Sequence, residues 1–150
     1  MDIQDIKQLY AKAPGTVALC KLLQENRGSN IFLQGQQASA TPLLFAAVAT
    51  EIKQTFLFVL QDADEAGYFY HDLTQVMGTQ NVFPSSFKRS VKYGQRDSAN
   101  EILRTEVLAR VSARDKQVTE SLLIISYPEA LSELVVSKQH LDERRLSLKT

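Results

Sequence analysis

The chain has 150 residues, of which 44% are hydrophobic and 23% charged, with 17 basic residues balancing 17 acidic ones. That length and composition suit an ordinary globular domain with a real core, and the balanced charge argues against a dedicated nucleic-acid-binding domain, which carries a basic excess. Cys20 is the only cysteine, which excludes an internal disulfide, and no apolar run approaches the roughly 18 residues that a membrane-spanning helix needs.

Two helices are expected first. Ile3, Ile6, Leu9 and Tyr10 recur at helical spacing, and Pro14 with Gly15 stops the run. Thr16 is placed to cap a second helix carrying Val17, Leu19, Cys20, Leu22 and Leu23, which ends in the polar stretch 26–30. The start, Met1-Asp2-Ile3-Gln4-Asp5, lacks the basic and apolar regions of a signal peptide, so a cytoplasmic protein in a reducing compartment is expected.

From residue 31 the pattern changes. Ile31, Phe32 and Leu33 form a short apolar run before Gly35, which predicts a buried strand. Leu43, Leu44, Ala47, Val48 and Ile52 make a helical stripe. Residues 55–60 (TFLFVL) are almost continuously apolar, as in a strand covered on both faces. Ala66, Phe69, Tyr70, Leu73, Val76 and Met77 form the next stripe, closed by Gly78. Asn81, Val82 and Phe83 give a short strand ending at Pro84, and a polar segment runs to about Arg96.

Ser98 followed by Glu101 is a capping box opening a helix with Ile102, Leu103, Val107, Leu108 and Val111 on its apolar side. Glu106 and Arg110, four apart, are placed to pair. Residues 122–125 (LLII) predict a buried strand, and Pro128 opens a short helix. Strands and helices thus alternate after residue 30. The expected fold is α/β, with a three-layer, mainly parallel sheet. Residues 1–136 are expected to form this domain, with helices over 1–28 and the sheet core over 29–136. Residues 137–150 would be a linker and the first strand, Leu146-Ser147-Leu148-Lys149, of a following domain.

The stretch 35–42 (GQQASATP) has the layout of a phosphate-binding loop, whose working form is G-x-x-x-x-G-K-[ST]. Gly35 holds the first position. Ala40 stands where the second glycine belongs, Thr41 where the lysine belongs, and Pro42 where the Mg²⁺-binding hydroxyl belongs. Thr41 has no cation for the phosphates, and Pro42 has neither a hydroxyl nor a backbone N–H. The same residues start a helix well, with Thr41 as N-cap and Pro42 first. No cofactor is expected here. A plain strand-to-helix connection accounts for these residues equally well.

Other candidates weigh less. Lys88, Arg89, Lys92, Tyr93 and Arg96, with Phe87, could touch DNA phosphates or another domain, although a solvated loop is the simpler reading. His71 and His140 lack a second ligand at metal-binding spacing. Cys20 lies on an apolar stripe and reads as core. Asp62, Asp64 and Glu65 read as first-turn acids facing a helix dipole.

The ordered set of segments carries a resemblance. It comprises the degenerate loop at 35–42, the strand at 56–60 followed by Gln61-Asp62-Ala63-Asp64-Glu65, then Val82-Phe83-Pro84, and Arg96-Asp97 before a helix. It ends with Leu123-Ile124-Ile125-Ser126-Tyr127-Pro128-Glu129-Ala130-Leu131. Over residues 15–150 the chain resembles the amino-terminal, UvrB-like region of the bacterial transcription-repair coupling factor (the Mfd translocase). UvrB itself has an intact phosphate loop and a long aromatic hairpin. Here the stretch 84–97 is too short for that hairpin and holds only Phe87 and Tyr93 as aromatics. The resemblance implies a RecA-like, non-catalytic adaptor. Its parent protein would translocate on duplex DNA at the expense of ATP, release stalled RNA polymerase, and recruit UvrA through the following domain. Two other readings stay open: an NTPase fragment with an unusual phosphate loop, and an unrelated α/β interaction module.

Overall fold

The protein is described by a computed structural model over residues 2–25, 28, 30–80, 82–84, 98–114 and 120–132. Asp2 opens the first helix, α1 (Ile3–Lys12), with a capping box in which the Asp2 N–H donates to the Asp5 carboxylate at 2.8 Å. The second helix, α2 (Pro14–Gln24), is capped at Ala13 and starts three residues earlier than the Thr16 cap predicts. Pro14 takes the first helical position, where its missing N–H costs nothing, and Thr16 is buried inside the helix.

Six further elements build the α/β core: α3 (Ala40–Glu51), β1 (Thr55–Val59), α4 (Ala63–Met77), β2 (Val82–Pro84), α5 (Ser98–Ala113) and β3 (Leu122–Ser126). The short α6 (Pro128–Ser132) follows. The strands form an open parallel sheet in the order β1-β3-β2. Phe56 pairs with Leu123 and Leu57 with Ile124 across one ladder, while Phe83 pairs with Ile124 across the other. The central strand β3 is the one drawn from the run LLIIS, and all five of its residues are buried. A strand flanked on both sides and covered on both faces has no use for polar alternation.

Side chains alternate across a strand, so the register divides the sheet into two faces. Phe56, Val82, Leu123 and Ile125 share one core with Leu19, Leu44, Val48, Phe69 and Leu73, contributed by α2, α3 and α4. Phe58 links strand to helices through ring contacts with Phe45 and Phe69, each at 5.0 Å. Phe83, Leu122 and Ile124 form a separate, smaller core with Val107 of α5. Helices therefore lie on both faces, with α2, α3 and α4 on one side and α5 on the other.

Helix α3 is apolar nearly all round (ATPLLFAAVATE), and Ala46, Ala47, Val48 and Ala49 are buried to 1% or less. Such a helix suits a site packed between neighbours, here α1, α2 and α4. Ser121 ties its end to the sheet, with its hydroxyl 2.7 Å from the Ala49 carbonyl and 2.6 Å from that of Ile52. Helix α4 is capped by Asp62, which accepts the Glu65 N–H at 2.8 Å, and ends at Gly78 with φ +78. Asp62, expected in the first turn, is thus the cap before it, while Asp64 and Glu65 lie in the first turn as their dipole reading expects.

Two strand expectations are corrected. Residues 31–33 form no strand, and Ile31, Phe32 and Leu33 are 37%, 88% and 38% exposed. A short apolar run becomes a strand only where a neighbour takes its backbone groups, and no ladder of the described sheet reaches them. Among the described residues strand β1 is an edge, not a doubly covered strand: Leu57 and Val59 are 54% and 51% exposed, because α5 covers β2 and β3 and stops short of β1. Helix α5 keeps Val107 inward but leaves Ile102 and Val111 exposed. Its Glu106 and Arg110 do pair, at 3.5 Å, and the Arg110 guanidinium stacks 4.7 Å over the Phe83 ring. The boundary expected at residue 136, and the strand expected at 146–149, lie outside the described residues.

Candidate functional site

The loop that leads into α3 is where phosphate chemistry would reside. Gly35 has φ +83, a conformation that favours glycine, while a Cβ there would meet nothing within 4 Å. Conformation, not space, therefore accounts for Gly35. Ala38 adopts φ +46, which costs an L residue on the order of 1 kcal/mol.

The start of the helix differs from the sequence expectation. Ala40 is its first residue and Ser39 occupies the cap position, so Thr41 and Pro42 are second and third. The turn begins early because the Ala40 N–H already donates to the Gln37 carbonyl at 3.0 Å, and the Thr41 N–H to Ala38 at 3.4 Å. Leu43 makes the next bond, to the Ser39 carbonyl at 3.3 Å. Pro42 still falls among the four helix-start residues that need no intrahelical acceptor, and it is buried.

This arrangement sets the electrostatics. A helix N-terminus attracts phosphate through free N–H groups and a partial positive charge. Here two of the first three amides donate within the loop, and the third position has no N–H. A carboxylate already stands at the cap: the Ser39 hydroxyl donates to Asp72 Oδ2, from the middle of α4, at 2.6 Å. The Asp72 charge complements the helix dipole, and it would repel an incoming phosphate.

Asp72 went unnoticed in the sequence. It precedes Leu73 of the α4 stripe, but the loop that its flank meets is 33 residues away. Among the described residues no group of three or more His, Cys, Asp or Glu side chains could hold a metal ion. His71 is exposed. The Cys20 thiol is buried in the α2–α3 core, and burial, with Glu51 second, pushes its pKa up, which is the reverse of nucleophile activation. Ser126 is wholly buried in the central strand. The basic candidates Lys88, Arg89, Lys92, Tyr93 and Arg96 lie outside the described residues. No described helix is long and apolar enough to cross a membrane.

Compared with protein-family models, with curated proteins and with solved structures, the chain matches none.

Proposed function

We propose that the chain is a non-catalytic adaptor domain, similar to the amino-terminal UvrB-like region of the transcription-repair coupling factor, on a RecA-like sheet with a disabled phosphate loop. The carrying observation is the start of α3. The Ala40 and Thr41 amides are engaged, Pro42 has no N–H, and Asp72 supplies the anion at Ser39. The repair context is supported by the order of segments from the loop at 35–42 to the strand and helix at 122–132. In that context the parent protein supplies the ATP-driven motor, the grip on duplex DNA and the contact with RNA polymerase. This domain makes contacts within the parent and holds no cofactor of its own.

In the family that the chain resembles, UvrA docks on a following domain, and residues 137–150 resemble a linker and the first strand of that domain. A single strand has no stability without neighbours. Residues 1–150 should therefore bind UvrA weakly, and a chain extended through the next domain should bind it well. A parallel titration of both against UvrA tests this, and equal affinities would refute the division. Duplex DNA should bind residues 1–150 no more tightly than about 10⁻⁶ M at physiological salt, the range of non-specific binders. A sub-micromolar complex in a fluorescence titration would contradict the adaptor reading.

A further inference from the structure

Two of the exposed apolar features among the described residues bear on the sheet. One is the outer side of β1, where Leu57 and Val59 are half exposed on the same face as Leu122 and Ile124. The other is the tripeptide Ile31, Phe32 and Leu33, which leads into α3 as a strand leads into a crossover helix. Its exposure alternates, 37%, 88% and 38%, as in a strand with one side turned inward. Leu33 meets Leu19 and Leu44 around a cavity of 240 Å³ on the helical side.

Handedness connects the two. The chain passes from β1 to β2 by way of α4, and from β2 back to β3 by way of α5. Helices α4 and α5 lie on opposite faces, so the two opposite moves have the same hand. Parallel crossovers are right-handed in about 98% of cases. Helix α3 lies on the face of α4 and delivers the chain to β1. A crossover of that hand on that face must travel in the direction from β1 to β2. Its starting strand therefore belongs on the other side of β1, at the open edge.

We infer that residues 31–33 take a parallel position on the open-edge side of β1, placing Phe32 on the same face as Leu57 and Val59. The segment 34–39 allows this: six residues reach about 20 Å, and two strand spacings are about 10 Å. In that position the segment brings three exposed apolar side chains, Phe32, Leu57 and Val59, onto one surface beside α5. The inference rests on topology and is independent of the repair reading.

Cross-linking tests it in the whole chain. With Cys20 replaced by alanine, one variant carries Phe32→Cys and Leu57→Cys, and a second carries Phe32→Cys and Leu9→Cys. Leu9 lies on α1 and is 61% exposed, and all three positions are exposed enough to leave the core intact. A bis-maleimide spanning about 10 Å, two strand spacings, is added to dilute protein. The expected result is an intramolecular link between positions 32 and 57, formed at least about tenfold faster than between 32 and 9. Preferential linking to position 9 overturns the inference. So do links between molecules only, or no link while both thiols still react with N-ethylmaleimide.

Discussion

The two faces of the sheet are built on different terms. On one, α1 to α4 seal Phe56, Leu123, Ile125 and Val82, and α3 brings alanines that let its backbone come close. On the other, among the described residues, α5 covers Phe83, Leu122 and Ile124, and Leu57 and Val59 of β1 are about half exposed. A parallel sheet is stable when both faces are covered. The first face therefore contributes more to the stability of the fold than the second, whose buried cluster is smaller.

Substitutions should reproduce that contrast. The largest loss is expected for Leu123→Ala, at a wholly buried position of the central strand: about 3 kcal/mol, within the range for buried leucines. Leu57→Ala, on the open side of β1, should stay within about 0.5 kcal/mol. Urea unfolding of both variants measures the difference, and equal losses would show that the second face is as fully packed as the first. Ser121→Ala comes next, at about 1–3 kcal/mol, because it strips a buried donor from the carbonyls that end α3. Asp62→Ala should cost about 1 kcal/mol through the lost cap of α4.

Arg110→Ala probes the thinner face. Its pair with Glu106 is about half exposed and contributes little after solvent screening, so the stacking on Phe83 should dominate, at about 0.5–1 kcal/mol. Glu106→Ala should be near neutral in the same assay. The smallest effect concerns Cys20. Its pKa is raised in the folded chain by burial and by Glu51, so the folded state favours the neutral thiol. That contribution is present below the thiol's ordinary pKa and is lost as pH rises through the raised folded value. Unfolding midpoints should fall on the alkaline side, and by less in Cys20→Ala.

Much of the first face was legible in the sequence. Val82 and Phe83 appear as a strand, the stripe from Ala66 to Val76 appears as α4, and the LLII run lies in the central strand. These segments bury the residues that their periodicity selects. On the second face α5, its inward Val107 and the Glu106–Arg110 pair were legible too, but the edge position of β1 was not, because the run TFLFV looks the same whether it is central or at an edge. Edge position depends on what pairs with it, and no local pattern encodes that. The tripeptide 31–33 misled for the same reason. At the α3 start, the missing lysine and hydroxyl were plain at Thr41 and Pro42, and the early turn at Ala40 was not. Ser39 and Asp72 meet only because α3 packs on α4.

The central claim is that the start of α3 is closed to phosphate by its own residues. Calorimetric titration of residues 1–150 with Mg-ATP tests it most directly. No binding heat beyond dilution is expected at millimolar nucleotide, with or without Mg²⁺. A saturable, Mg²⁺-dependent isotherm in the micromolar range would contradict it.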